Sequence, residues 1–341
     1  MIRRREFIAG LGSAAAWPLV ARAQQSERMR RIGVLRAAAE SDPDSKVRAA
    51  TVREALQQLG WIEGRNLRIE WRWAGDDADL LRSYAAELVK LGLDAILTEG
   101  PGLRPLQQIT RTIPIVFAGG ADPVDAGLVE SLARPRGNIT GFAGVESGQN
   151  TKFLELLKEI VPGITHVAVL GDFTQPDTRV GVLGNPTQPD GNGNRGSIQG
   201  VIAALRVEVR LIDTRDADAI ERGVTAFARD PNGGLIVPPS GFATLHRESI
   251  IKVAARYRLP AVYPDRIFAA DGGLVSYGSN PLERLRSAAG YIDRILRGEK
   301  PADLPVQLPI KYETVLNLKT AKALGIEVPT SVLLRADEVI E

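Results

Sequence analysis

The sequence predicts an α/β protein with two doubly wound, parallel-sheet lobes that are joined by a multi-strand hinge. Strand-like and helix-like segments alternate almost without interruption after the first 30 residues, which is typical of parallel sheets covered by helices. The apolar string at 113–118 has the same pattern as the string at 259–264. Each string follows a strand that ends in a Gly-Pro or Pro-Pro loop, at 100–102 and 238–241. These echoes predict two similarly built lobes that face each other across a cleft.

The predicted elements follow from apolar periodicity along the chain. Alternating or continuous apolar residues predict strands over 31–35, 67–73, 94–98, 113–117, 138–142, 166–170, 207–212, 234–237, 259–263 and 273–277. Helical spacing predicts helices over 46–59, 79–91, 103–111, 122–133, 151–160, 197–205, 217–228, 247–257, 266–270 and 281–297. Gly60 and Gly92 follow the first two helices, where a C-terminal glycine is common. Pro114 lies in the first turn of its strand, where a missing donor is tolerated.

The first 23 residues are predicted to be a signal peptide. A basic start at 3–5 is followed by an apolar stretch over 7–20, which is too short to span a bilayer comfortably. The small-x-small pattern of 21–23 predicts cleavage before Gln24. Residues 4–8 also resemble the twin-arginine export motif. We therefore expect an exported, periplasmic protein.

Charge and composition exclude several classes of function. The chain carries a net charge of +2, but the predicted signal holds a net +3, so the mature chain is close to −1. A nucleic-acid surface needs a basic stripe, and none is predicted. The chain has no cysteine, and its two histidines are His166 and His246. Disulfides, thiolate metal sites and histidine-rich metal sites are therefore excluded, and the sequence predicts no cofactor.

A long Gly-, Pro- and Asn-rich loop follows the sixth predicted strand. Residues 169–177 are nearly repeated at 182–190, and Gly191-x-Gly193-x-x-Gly196 follows. The glycine pattern has the outline of a dinucleotide-binding fingerprint, but that mechanism requires the first glycine directly after a strand. Prolines precede it here, so we interpret the segment as a loop near the mouth of the cleft.

Polar groups at the ends of the predicted strands are candidates for binding a solute. Glycine loops that lead into helices expose backbone N–H groups suited to a carboxylate. Aspartates at strand ends suit an ammonium group, and tyrosines suit an apolar or aromatic portion. The predicted ligand-binding residues are Ser41, Glu99, Gly100, Gly119, Asp122, Thr140, Asp172, Ser240, Tyr263, Asp265 and Tyr277. As a set they suit a zwitterionic ligand.

Catalysis has weaker support in the sequence. Neither a Gly-x-Ser-x-Gly elbow nor a Gly-Lys-Ser/Thr phosphate loop is present. The aspartates at strand ends form pairs that are able in principle to do acid–base work, but capping the next helix or holding a ligand cation is the simpler role. No catalytic residue is predicted.

Several strings together resemble a known family. The strings are 59–66 (LGWIEGRN), 113–117 (IPIVF), 122–123 (DP), 132–141 (LARPRGNITG), 300–306 (KPADLPV) and 317–325 (NLKTAKALG). In this combination the chain resembles the TrpX/YtrX-type substrate-binding proteins of ABC transporters, over essentially all of 31–341. The loop at 171–196 departs from the family pattern, because relatives usually have a shorter Asn-Pro or Asp-Pro loop there.

The resemblance implies the type I periplasmic binding fold, an amino-acid-like solute, and an importer made of a permease and an ATPase. It also implies lobe boundaries. The first lobe is expected over 30–143 plus about 278–300 and the second over 144–277. The segment 301–341 is expected to cross back over both lobes, with hinge crossings near 142–146 and 275–280.

Two other functions fit the same sequence. A sensory binding protein feeding a membrane receptor has the same features, and an exported α/β enzyme shares the fold class. Neighbouring genes for a permease and an ATPase favour transport over sensing, and turnover of a substrate by the purified protein favours the enzyme.

Overall fold

A computed structural model describes residues 29–75, 77–120, 123–124, 127–144, 149–171, 205–213, 217–240, 243–244 and 246–341. It contains two sheets, each with helices on both faces. The first lobe consists of β1 Arg30–Arg36, β2 Leu67–Trp73, β3 Ala95–Thr98, β4 Ile115–Ala118, β5 Ile139–Phe142, α1 Pro43–Gln58, α2 Ala78–Lys90, α3 Leu103–Ile109 and α8 Pro281–Leu296. The second lobe consists of β6 His166–Gly171, β7 Glu208–Asp213, β8 Gly233–Ile236, β9 Ala261–Tyr263, β10 Val275–Gly278, β11 Glu313–Asn317, β12 Glu338–Ile340, α4 Gln149–Ile160, α5 Ala217–Phe227, α6 Arg247–Arg256, α7 Arg266–Ala270, α9 Leu318–Leu324 and α10 Thr330–Leu333.

The two sheets share one strand order. The first sheet runs β2-β1-β3-β4-β5, and the second runs β7-β6-β8-β9-β10 before it continues into β11 and β12. Only the β10–β11 pair is antiparallel among the described ladders. The echoing strings of the sequence form β4 and β9, which are the fourth strands of their sheets. The prediction of two similarly built, doubly wound lobes is confirmed.

In the first lobe, alternate residues of β1 face opposite cores. Ile32 and Val34 pack against α1 and α8, whereas Leu35 faces the core beneath α2 and α3. Gly33 lies on the second face, where an added Cβ would come within 2.7 Å of the Leu93 side chain. Glycine thus permits α2 and its following turn to lie close to the sheet. Helix α8 buries Leu285, Ile292 and Leu296 in the first core, each contributing about 1.5–3 kcal/mol.

The second lobe has the same two-faced arrangement. On one face, Phe153 and Leu157 of α4 pack on β6 and β8. On the other face, α5 and α6 cover the sheet, and Tyr263 of β9 stacks on Phe268 of α7 with ring centroids 5.2 Å apart. Each lobe therefore has its own core.

Two helices of the first lobe begin at the carboxyl edge of its sheet with well-formed caps. Asp42 caps α1 by accepting a hydrogen bond from the N–H of Asp44, and Pro43 occupies the first turn. Asn280 caps α8 through the N–H of Leu282, with Pro at the next position. Since the cap fixes where each helix starts, the side chains of both first turns are held at the cleft.

Three segments pass between the lobes side by side. The end of β5 continues toward α4, the end of β10 leads into α8, and the segment at 304–307 leads toward β11. Ser279 donates to the carbonyl of Gly144 over 3.2 Å. Gln307 donates to Gly141 over 3.0 Å and accepts from Ala143 over 2.9 Å. The C-terminal segment thus touches the first lobe before its strands join the second sheet.

One predicted helix, over 122–133, is wrong in its described part, which consists of turns and bends. The N–H groups of Leu128 and Val129 both donate to the carbonyl of Pro123, and Gly127 has a φ of +65°. This closed turn replaces the regular helical ladder. None of the helices in the described ranges combines the length and apolar character needed to cross a membrane.

Several predictions lie outside the described residues. They are the signal peptide at 1–23, the helix at 197–205 apart from its last residue, and the duplicated loop with its glycine pattern at 172–196. The candidate ligands Asp122 and Asp172 also lie there.

Candidate functional site between the lobes

A cavity of about 140 Å³ lies between the two lobes. Its first wall is formed by the carboxyl ends of β1, β3 and β4 and by the first turns of α1 and α8. Its second wall is formed by the ends of β8 and β9. In open α/β sheets the ends of neighbouring strands form such crevices where the strand order reverses, as it does between β1 and β3.

A network of paired charges covers the first wall. Glu99, directly after β3, lies 2.5 Å from Nη1 of Arg36 and 2.8 Å from Nη1 of Arg48. Arg48 also binds Asp44, one helical turn earlier, over 2.5 Å. Burial raises the pKa of the Glu99 carboxyl, but Arg36 and Arg48 outweigh burial and hold that pKa below its usual value. The network therefore keeps Glu99 ionised and both guanidinium groups in place.

Arg284 and Asp265 face the same cavity from opposite lobes without pairing. Arg284, in the first turn of α8, donates from Nη1 to the carbonyl of Ser279 over 2.9 Å and to the Ser279 hydroxyl. Its Nε is buried without a hydrogen-bond partner. Asp265, after β9, forms no ion pair within 4 Å among the described residues.

The pKa values of these two groups indicate that their charges interact. Burial raises the pKa of the Asp265 carboxyl, and Arg284 partly opposes that rise. Burial likewise lowers the pKa of Arg284, and Asp265 opposes it. A buried ion without a partner is energetically costly. A ligand that carries both a positive and a negative charge would therefore compensate Asp265 and Arg284 together.

Two further buried groups in the cavity lack partners. Gln149, at the start of α4, is 6% exposed and donates to the carbonyl of Tyr277 over 3.1 Å. Its Oε1 accepts no hydrogen bond, and Nε of Arg36 donates none. Since buried polar groups are almost always hydrogen-bonded in native proteins, these atoms are available to a ligand.

One ion pair links the lobes at the rim of the cavity. Arg247 of α6 lies 3.2 Å from Asp42, the cap of α1, and 2.8 Å from Asp271 of its own lobe. The pair joins the first turn of one lobe to a helix of the other, so the two walls are held close together.

The structure brings together five of the predicted site residues. Those lining the cavity are Glu99, Gly100, Gly119, Ser240 and Asp265. Whether they contact a solute stays a prediction.

Four predicted residues lie elsewhere. Ser41 is exposed in the turn before α1, and the buried Thr140 donates to the carbonyl of Leu304 over 2.7 Å. Tyr263 points into the core of its own lobe, where burial raises the pKa of its hydroxyl. Tyr277 stacks on Tyr312 with ring centroids 5.2 Å apart. Thr140, Tyr263 and Tyr277 thus contribute to packing and to the junction of the lobes, and none of the four lines the cavity.

Sequence reasoning missed most of the charged lining and one polar residue of it. The missed charged residues are Arg36, Asp42, Asp44, Arg48 and Arg284, and the missed polar residue is Gln149. A signal for the helical lining residues was available in two capping signatures, Asp42-Pro43-Asp44 and Asn280-Pro281. Each signature marks a helix start at the carboxyl edge of a sheet.

Comparison with known proteins identifies the family. Residues 36–182 and 204–340 match the sequence model of a family described as ABC transporter substrate binding protein. The chain belongs to this family. This substrate-binding protein is 24% identical over 276 residues to a tyrosine-binding protein of Clostridioides difficile (strain R20291), covering 80% of this chain and 75% of that one. The family and this relative are both described as binding proteins.

Solved structures show the same fold. A conserved domain protein of Vibrio cholerae aligns with a TM-score of 0.80 at 23% identity, covering 92% of this chain and all of that chain. An ABC domain in complex with L-Trp from Streptococcus pneumonia aligns with a TM-score of 0.78 at 22% identity, covering 91% and 100%. The substrate-binding protein therefore has the type I periplasmic binding fold that the sequence predicted.

Proposed function

We propose that this protein is the periplasmic receptor of an ABC importer and binds an amino-acid-like solute between its lobes. The observation that carries the proposal is the unpaired couple of Arg284 and Asp265, one charge from each lobe. A zwitterion satisfies both at once and favours the closed arrangement by its differential affinity for it. The relatives named for tyrosine and crystallised with L-Trp support an amino acid as the solute.

The partners and location follow from the family and from the first residues of the chain. An importer of this class needs a permease and an ATPase, and we propose that the permease reads the closed form of the receptor. The basic start, apolar stretch and small-x-small site at 1–23 support export and cleavage before Gln24. The twin-arginine resemblance at 4–8 supports that export route.

A solute screen on the exported protein tests the proposal. The protein is isolated from the periplasm, its mass is compared with a chain that begins at Gln24, and its melting temperature is measured with each of the common amino acids. A solute at a hundredfold excess over its Kd adds about 2.7 kcal/mol to the free energy of unfolding, which corresponds to a rise of about 5 °C. A folded protein that responds to no amino acid contradicts the proposed solute class.

Uptake then separates transport from the other two functions. Deleting the gene should abolish uptake of the solute that binds, and reintroducing it should restore uptake. Unchanged uptake indicates a sensory role. Recovery of the solute in a chemically altered form after incubation with the protein indicates an enzyme.

A further inference from the structure

The size of the cavity limits the solute. Its volume is about 140 Å³ with the lobes linked through Arg247 and Asp42. An apolar cavity of about 150 Å³ in another protein accommodates one benzene molecule. Tyrosine and tryptophan carry such a ring in addition to the ammonium, the α-carbon and the carboxylate, so the cavity as it stands in this structure favours a smaller solute.

Within the described part of the lining, no large apolar side chain is present on which a ring could pack. None of the described residues that form the walls is aromatic, and their apolar part consists of alanine, proline and glycine. Trp73 lies behind Arg36, whose guanidinium is 5.4 Å from the ring centroid. Tyr263 is buried in its own core. Because aromatic ligands are normally held by large apolar side chains, the walls favour a short side chain.

The charges of the walls fit a solute that is neutral overall. Among the lining residues that the structure describes, three arginines face four carboxylates, and Asp42 is compensated by Arg247 outside the lining. Within this balance, Arg284 and Nε of Arg36 provide free donors. Asp265 and Oε1 of Gln149 provide free acceptors, which suit an ammonium group with N–H bonds. A quaternary ammonium group normally needs an aromatic cage, which the described walls lack.

On the basis of the function proposed above, we propose that the solute is a small neutral α-amino acid of the size of alanine or serine. Arg284 binds its carboxylate, and Asp265 binds its ammonium group. The short side chain lies against the alanine and glycine surface of the first wall.

A binding panel on the wild-type protein tests this class. Calorimetric titration compares L-alanine, L-serine, L-tyrosine, L-tryptophan, L-glutamate and L-lysine under one condition. We expect L-alanine or L-serine to bind at least tenfold more tightly than any of the other four. Tighter binding of an aromatic or a charged amino acid overturns the small neutral class while leaving an amino-acid receptor intact. If no amino acid binds, the proposed function is overturned as well. The failure of the small neutral class and the failure of the proposed function therefore give different results.

Two variants test the assignment of the charged groups. Arg284→Gln and Asp265→Asn should each weaken binding of the preferred amino acid by about thirtyfold or more. Arg294→Gln is the control for the first, since Arg294 is an exposed residue of the same helix. Asp218→Asn is the control for the second, since Asp218 is exposed in the same lobe. Both controls should keep wild-type affinity. Unchanged affinity in both site variants, with cooperative unfolding preserved, overturns the assignment.

Discussion

The two walls of the cavity are built on equivalent strand ends and yet carry different electrostatics. On the first wall, Glu99 lies between two arginines and its pKa is lowered. On the second wall, Asp265 stands without an ion pair among the described residues and its pKa is raised. The difference indicates a division of labour. The charges of the first wall pair with one another, whereas the second wall carries a carboxylate that has no ion-pair partner among the described residues.

The largest effect should come from Glu99→Gln. This change leaves Arg36 and Arg48 buried without their shared carboxylate, and breaking such a network costs about 3–5 kcal/mol. Urea unfolding measures the loss of stability. Glu63→Gln is the matched control, because Glu63 pairs with Arg53 at the surface and its loss should cost less than about 1 kcal/mol. Equal losses in the two variants would show that the network contributes no more than an exposed pair.

The loss of stability caused by Glu99→Gln should depend on pH. The folded-state pKa of Glu99 is lowered, so its stabilisation is present above the unfolded value of 4.5 and is lost as pH falls through the folded pKa. The difference in stability between wild type and Glu99→Gln should therefore shrink in acid. A difference that stays constant to the lowest accessible pH would contradict the assigned charge state.

A smaller effect of opposite sign is expected for Asp265→Asn. Because burial raises the folded pKa of Asp265, its ionised form costs stability at neutral pH. Removing the charge should stabilise the ligand-free protein by about 1–2 kcal/mol, whereas the proposed role of Asp265 predicts weaker solute binding. Thermal unfolding at several pH values measures this gain, which should vanish as pH falls and the wild-type carboxyl becomes protonated. Asp218→Asn should stay within about 0.5 kcal/mol of wild type. A destabilised Asp265→Asn would mean that Asp265 holds its own wall together.

The smallest effect on stability is expected for Arg247→Gln, which removes the link between the walls. Loss of the contact to Asp42 should cost less than about 1 kcal/mol and should widen the ligand-free protein. Small-angle X-ray scattering measures the radius of gyration, and calorimetry should show a few-fold loss of affinity. Arg256→Gln, on the same helix and paired with exposed Glu221, should change neither. An unchanged radius of gyration for Arg247→Gln would indicate that the crossing segments alone set the distance between the two lobes.

The fold was predictable because its signals are local. The alternation of strand-like and helix-like apolar spacing predicted the order of elements. The matching strings predicted two similarly built lobes, and they form β4 and β9, which occupy the same place in each sheet. The helix expected over 122–133 failed because Pro123 and Gly127 close a turn that apolar periodicity does not register.

The site was predictable in position but not in composition. Glu99 follows β3 directly and Asp265 follows β9 after one residue, so the rule that cleft residues follow strands finds both. Arg48 and Arg284 belong to helices and reach the cavity only because capping sets where α1 and α8 begin. Tyr263 ends a strand as the rule requires, but its side chain points toward Phe268 instead. Which face a terminal strand residue presents depends on register, and register is a property of the folded sheet.

The three segments that pass side by side between the lobes have a mechanical consequence. Hydrogen bonds at Ser279 and Gln307 tie neighbouring segments together, so sliding or twisting of one against another breaks those bonds, while bending of the whole ribbon keeps them. Bending of the whole ribbon is therefore the relative movement of the lobes that these hydrogen bonds oppose least. If a small solute bridges the two walls, this coupling of the segments would orient surfaces far from the cavity in one defined way.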